Sequence, residues 1–301
     1  MNTHFVLYWL ISIMVLLWPV NFVVVKSTLQ QFPPLLLGGL RIGLAGLFIA
    51  PVYWWKSSRG DALRPRACPL RASADVPALL LLALFCIGNQ LLFIFGLNRT
   101  SVPHSAILIG MSPIFVLLIA AAQKIEPITA QKITGMLIAL AGIAILHAIP
   151  EPHAQRTGGP TLSGDALMCL AGLTFASFTV LGKRVSLRHD SITVNSVAYI
   201  LGALAFAPIL FWQARHFTFA AAPGSAWAGL IYMALFPSVV CYLIYFYALT
   251  RIPASRVSAF SCLQPVIATL LAATLLGESL SIPVVGGGAV ILAGVYLTER
   301  G

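Results

Sequence analysis

Residues 113–126 read PIFVLLIAAAQKIE and residues 265–278 read PVIATLLAATLLGE, so a proline and a glutamate recur at the same spacing 152 positions apart. At that offset Leu97 matches Leu249, Arg99 matches Arg251, Leu118 matches Leu270, Ala120 and Ala121 match Ala272 and Ala273, and Gly135 matches Gly287. The correspondence ends on Leu140, Ala141 and Gly142 against Leu292, Ala293 and Gly294. An offset of 157 pairs Lys26 with Lys183, Pro51 with Pro208 and Trp55 with Trp212, which puts the length difference in the connecting segment. Weak internal symmetry between two hydrophobic halves is typical of transporters built from structural repeats, and points to moving a solute rather than transforming one.

The chain is 59% apolar and only 9% charged over 301 residues, with a mean hydropathy of +0.94. Soluble domains carry roughly 25% charged residues, so lipid is the expected solvent. Crossing the hydrocarbon layer takes about 20 apolar residues per helix. Ten stretches meet that requirement, near 5–25, 33–55, 76–97, 103–122, 131–149, 163–182, 191–212, 224–249, 254–275 and 281–298. An all-α membrane protein is predicted, with a first repeat over residues 1–150, a Gly/Pro-rich linker over 151–162 and a second repeat over 163–301. The arginine- and proline-bearing stretch 56–75 reads as a cytoplasmic loop.

Lysine and arginine in short loops set orientation. With the N-terminus inside, the inner loops and tail hold 13 of the 18 basic residues, among them Lys56, Lys183, Arg184 and Arg251. The outer loops hold Lys26, Arg99, Arg156 and Arg215, and Arg41 lies within the second helix. Both termini are therefore predicted to be cytoplasmic. Five helices per half is an odd number, so the second copy enters from the opposite side and the repeat is inverted. The net charge of +10 then reflects topology, and nucleic acid is not an expected partner because the basic residues are spread over loops.

Residues 1–4 carry no lysine or arginine and no small-residue cleavage site follows the apolar run, so the first hydrophobic stretch reads as a helix rather than a leader. Cys86, Cys169, Cys241 and Cys262 fall in predicted helices and Cys68 in a loop, so no disulfide or zinc framework is expected. Neither a phosphate-binding glycine loop nor an HExxH motif is present. No metal or cofactor is expected, and neither an ATP-driven pump nor an enzyme is favoured.

Trp18, Pro19, Val20, Asn21 and Phe22 in the first helix, Phe32 and Pro33 followed by Arg41 in the second, and the paired Pro113/Glu126 and Pro265/Glu278 together resemble the drug/metabolite transporter superfamily, specifically its EamA type. The likeness spans essentially the whole chain, with Pro19 standing where the family usually has glycine and Ile125 preceding Glu126. The resemblance implies export or exchange of small metabolites, often amino acids, through a central cavity lined mainly by helices 1, 3, 4, 6, 8 and 9.

Polar side chains inside lipid usually face a cavity or another helix, so they are the first candidates for a pathway. Trp18 and Asn21 are three apart and share a helix face. An asparagine both donates and accepts, which suits a zwitterionic or amide-bearing solute, or it serves an interhelical hydrogen bond. Asn89, Gln90 and Phe93 form a similar group in helix 3, and Tyr242 and Tyr245 in helix 8 offer aromatic faces with polar tips. Ser112 and Pro113 in helix 4, with Ser261, Gln264 and Pro265 in helix 9, complete the set. The candidate substrate-binding residues are thus Trp18, Asn21, Asn89, Phe93, Ser112, Tyr242, Tyr245, Ser261 and Gln264.

Pro19, Pro113 and Pro265 are candidate bending points, since each lacks an amide proton and clashes with the carbonyl four residues back. The carbonyls freed would be those of Val15, Ile109 and Ser261. Arg41 either contacts an anionic group or extends toward the membrane interface. Lys26 and Lys183 suit the negative ends of their helices, and Glu126 and Glu278 suit the positive ends of the helices that follow. Every acidic residue falls in a loop or at a helix end, so transport without a proton gradient is expected.

Gly39 and Gly43, Gly135 and Ala139, and Ala289 and Ala293 are small-xxx-small pairs that favour close helix contact, either within one chain or in a homodimer. The leading expectation is amino-acid or related metabolite export across the cytoplasmic membrane by alternating access. Efflux of lipophilic or aromatic drugs and cations is the alternative, ahead of a channel, a scaffold or a membrane-embedded enzyme.

Overall fold

A chain this apolar must satisfy its backbone hydrogen bonds within each segment, because lipid offers no partners. The computed structural model describes residues 3–58, 76–123, 129–148, 160–186, 189–252, 257, 263–278 and 280–300, and among them there is helix and turn but no strand. The first half contains α1 (Thr3–Thr28), α2 (Pro34–Ser58), α3 (Val76–Arg99), α4 (Val102–Ile109), α5 (Ser112–Ala122) and α6 (Ala130–Ala148). The second contains α7 (Leu162–Ser186), α8 (Ser191–Ala214), a 3-10 turn (Phe219–Ala221), α9 (Gly224–Met233), α10 (Cys241–Leu249), α11 (Gln264–Leu271) and α12 (Ile282–Arg300). Wider π-helical turns, Ala234–Val240 and Ala272–Leu276, join α9 to α10 and extend α11.

Among the described residues, seven stretches are long and apolar enough to cross a bilayer: Phe5–Thr28, Pro34–Lys56, Val76–Arg99, Val102–Ala122, Leu162–Ser186, Ser191–Ala214 and Gly224–Leu249. At the other three predicted positions lie shorter apolar helices, Ala130–Ile145, Gln264–Leu276 and Ile282–Thr298.

One difference from the sequence expectation lies at Pro113. The predicted continuous helix over 103–122 is two helices, parted at Gly110 and Met111, and Pro113 occupies the first turn of α5. Proline is well accommodated there because first-turn amides have no intrahelical acceptor. The freed Ile109 carbonyl accepts from the Ser112 hydroxyl, so it is satisfied locally rather than left open to the cavity. Pro265 likewise sits in the first turn of α11, while Ser261 and its carbonyl lie outside the described residues. Pro19 remains inside an unbroken α1.

The main packing runs between halves: α6 lies along α12, α3 along α7, α2 along α8, α1 along α11, and α4 and α5 along α7. Small residues permit the approach. A Cβ added at Gly39 would lie 2.8 Å from Phe206, and one at Gly96 would lie 2.6 Å from the Met168 sulfur. The small-residue contacts of α2, α3, α6 and α12 are thus made within one chain.

Polar contacts gather at two places among the helix ends. In one, Lys26 Nζ donates to the carbonyls of Leu97 at 3.0 Å and Thr100 at 2.6 Å, and Thr161 Oγ1 donates to the Arg99 carbonyl at 2.6 Å. Lys26 therefore meets the C-terminal end of α3 rather than that of its own helix. Glu278 Oε2 accepts from the Val102 amide at 2.9 Å, at the first turn of α4. Glu126 lies outside the described residues. At the second place Lys56, from the end of α2, pairs with Asp190, which caps α8.

Candidate substrate cavity

Side chains from both halves line one partly open cavity, the concave, mostly apolar form in which small-molecule sites occur. α1 contributes Trp18, Asn21 and Phe22; the 3.6-residue period puts the first two on the inner face, as their spacing predicted. α3 contributes Asn89, Gln90 and Phe93. Ser112 and Gln264, each immediately before a proline at the start of α5 and α11, also line the space. Phe175 of α7 and Tyr242 of α10 complete the aromatic wall, and Arg41 of α2 supplies a cation.

The aromatic rings meet edge to face. The Trp18 and Phe175 centroids are 5.9 Å apart at 82°, and those of Trp18 and Tyr242 are 5.6 Å apart at 87°. This arrangement sets the positive ring edge against the negative face. Phe22 and Phe93 stand 5.0 Å apart. The wall is therefore preorganised, with large apolar area and few rotatable bonds.

Hydrogen bonds fix its polar members. Asn89 Nδ2 donates to the Ala171 carbonyl at 2.9 Å, and the Tyr242 hydroxyl donates to Asn89 Oδ1 at 3.3 Å, which ties α3, α7 and α10 together. Gln90 Nε2 donates to the Tyr199 hydroxyl. Arg41 Nε donates to Ser238 Oγ at 3.0 Å, and that hydroxyl donates onward to the Met233 carbonyl at 2.9 Å, a bond spanning five residues inside the π-helical turn. Asn21 Oδ1 and Gln90 Oε1 are buried acceptors without a hydrogen-bond partner.

Seven of the nine predicted substrate-binding residues, together with Arg41, thus line one cavity. Tyr245 does not: its ring is fully buried behind Trp18 and Phe175, at 5.5 and 5.4 Å, and its hydroxyl lies 3.0 Å from that of Thr179. Its place is to support the wall. Ser261 lies outside the described residues. Phe22, Gln90, Ile109 and Phe175 also line the space; sequence reasoning grouped Gln90 with Asn89 and Phe93 without choosing it, considered Ile109 only through its freed carbonyl, and gave Phe22 and Phe175 no binding role. Phe22 and Gln90 adjoin the chosen asparagines; Phe175 carries no signal apart from its helical register.

Among the described residues no three His, Cys, Asp or Glu side chains converge as a metal site would require. What the cavity offers is a shaped, mostly aromatic surface with a few fixed donors and acceptors, which is the composition of a binding site.

The EamA-like transporter family matches this sequence twice, over residues 6–148 and 162–300. The chain belongs to that family. An uncharacterized transporter of Archaeoglobus fulgidus is 29% identical over 295 residues, covering 96% of each chain. The probable terminal-alkyne amino-acid exporter of Streptantibioticus cattleyicolor is 27% identical over 272 residues, 90% of this EamA chain and 89% of its own. The probable amino-acid metabolite efflux pump of Salmonella typhimurium is 26% identical over 302 residues, with 96% and 93% covered. A solved crystal structure of 18% identity superposes with a TM-score of 0.62 over 96% of this chain and 94% of its own, a likeness in fold. This EamA protein is a multi-pass membrane transporter.

Proposed function

We propose that this transporter is a secondary carrier exporting small metabolites, amino acids or related compounds, across the cytoplasmic membrane of a bacterium. The observation that carries the reading is the cavity between the halves, where aromatic rings, Asn21, Asn89 and Arg41 converge. Two relatives of full-length similarity bear the names of amino-acid exporters or efflux pumps, which favours this cargo over lipophilic cations.

The carrier works by alternating access between two inverted five-helix repeats, ten helices in all, with both termini cytoplasmic. Two observations support that topology. The 19-residue helices Ala130–Ala148 and Ile282–Arg300 reach about 28 Å at 1.5 Å per residue, close to the hydrocarbon thickness. The contacts Lys26–Thr100, Arg99–Thr161 and Val102–Glu278 join segments that the charge pattern assigns to the outer side, and Lys56–Asp190 joins two assigned to the inner side. Substrate enters between Trp18, Phe175 and Tyr242, is held by the polar groups of α1 and α3, and leaves when the repeats rock about it. The reaction makes and breaks no covalent bond.

Purified protein in liposomes, assayed for uptake across amino acids, nucleobases and cationic dyes, tests the reading. Saturable uptake with counterflow is expected for an amino-acid class, and it persists when the proton gradient is collapsed. Asn21→Ala lowers affinity about two- to tenfold, the worth of one net hydrogen bond. Unsaturable flux without counterflow would mean a channel, and unchanged kinetics in Asn21→Ala would remove the cavity assignment.

A further inference from the structure

Arg41 stands out in the cavity wall by its charge. Its guanidinium is permanently ionised and presents five donors, yet the residue is only 3% exposed. Among the described residues its hydrogen bond, through Nε to Ser238 Oγ, meets a neutral hydroxyl. The carboxylates described are engaged elsewhere: Asp165 with Thr100 and His104, Asp190 with Lys56, and Glu278 with the Val102 amide. Among the described residues, none pairs with Arg41.

A buried cation without a counter-ion is unfavourable in a medium that solvates ions poorly, and it is relieved by whatever anion enters. Nε is held by Ser238, so the outer edge of the guanidinium remains for the cavity, and that planar fork matches a carboxylate in two parallel hydrogen bonds. For a cation the described lining offers aromatic faces but no carboxylate. The neighbouring polar groups are neutral amides, with Asn21 Oδ1 and Gln90 Oε1 as unpartnered acceptors.

Resting on the reading of this cavity as the substrate site, we propose that Arg41 is the anchor for a substrate carboxylate. The carboxylate is the required group, and among the described residues a substrate ammonium is met by neutral acceptors, Asn21 and Gln90, and by ring faces rather than by an anion. The cargo class is then monocarboxylates with an apolar or aromatic tail that packs among Trp18, Phe175 and Tyr242. Amino acids belong to it, but so do their deaminated counterparts. Amines and amides of the same shape do not.

A matched series with one side chain separates these elements: L-phenylalanine, 3-phenylpropionate, L-phenylalaninamide and phenethylamine, each titrated calorimetrically into purified protein in lipid nanodiscs. The two carboxylates are expected to bind within about tenfold of one another, and the amide and amine at least about tenfold more weakly, as loss of a charge-assisted hydrogen bond requires. In Arg41→Gln the gap between acid and amide closes to about twofold. If that variant fails to fold, the wild-type ratios and Arg41→Lys decide, the lysine preserving a preference for acid over amide. Equal binding of all four to wild type would overturn the carboxylate anchor and leave the carrier reading intact. Absence of both binding and transport across the series would overturn both.

Discussion

A Cβ added at Gly294 would lie 2.6 Å from the Gly135 carbonyl oxygen, and one at Gly142 would lie 2.9 Å from that of Gly287. The two contacts exchange residues related by the 152-position offset, since Gly135 matches Gly287 and Gly142 matches Gly294. α6 and α12 therefore touch at two equivalent points where only glycine fits. The expected result is that Gly294→Ala destabilises the protein by about 2 kcal/mol or more, because the obstacles are backbone atoms of Gly135 and Ala139 that cannot rotate away. Gly286→Ala is the control: nothing lies within 4 Å of its added methyl, so it is neutral or stabilising by up to about 1 kcal/mol. Thermal unfolding in detergent separates the two.

Those glycines were legible in the sequence because duplication repeats them, and Trp18 and Asn21 because helical spacing puts them on one face. The pairs chosen by small-residue spacing were only half right: Gly135 is at the contact, but in α12 it is Gly294 that meets it. The partnerships of Lys26 and Glu278 were not legible. Lys26 reaches the carbonyls that end α3 and Glu278 the amide of Val102 in α4, and sequence proximity says nothing of which helix lies alongside. Tyr245 was misplaced for a related reason. Tyr242 and Tyr245 are three apart and face the same side, but Trp18 and Phe175 come between the second tyrosine and the cavity.

His104 Nδ1 lies 2.9 Å from Asp165 Oδ2, with both side chains 3% exposed, and the Thr100 hydroxyl donates to the other carboxylate oxygen. The pair joins α4 to α7 beside the segment where Arg99 and Thr161 meet. Removing one member leaves the other buried without its complement, which is dearer than losing both. Asp165→Leu should destabilise by about 3 kcal/mol, and His104→Leu combined with it by less than the sum of the single changes. A double-mutant cycle in thermal or denaturant unfolding measures the coupling, and strict additivity would show that the pair contributes nothing.

Gly110 ends α4, and a Cβ there would lie 2.8 Å from the Pro265 ring and 3.0 Å from the Ile107 carbonyl. The break in the first half thus rests on the opening turn of α11 in the second. The rocking of one repeat past the other proposed above would have to pass through this contact. Gly110→Val is expected to slow counterflow about tenfold or more while equilibrium binding of substrate changes by less than about threefold, since the residue does not line the cavity. Equal losses in rate and binding would place the defect in the fold rather than in the motion.

Asp190 provides an acid-sensitive contact at the helix ends. Burial by itself would raise its carboxyl, but the Lys56 ammonium and the hydroxyl and amide of Thr193 outweigh that effect and hold it below the ordinary carboxylate value. A group whose folded value is depressed contributes stability that is complete above its unfolded value, about 3.9, and is lost as pH falls through the folded one. Melting temperature should accordingly decline on acidification from about pH 5 downward, and Lys56→Gln should flatten the part of that decline due to Asp190. The carboxylate is 41% exposed, so solvent screening keeps the pair itself below about 1 kcal/mol. Asp190→Ala costs more, about 1 to 2 kcal/mol at neutral pH, because Oδ1 also accepts from the amides of Ile192 and Thr193 and caps α8. Asp190→Asn separates the two roles: it keeps the cap, so neutral-pH stability stays within about 1 kcal/mol of wild type, and it removes the acid-dependent part.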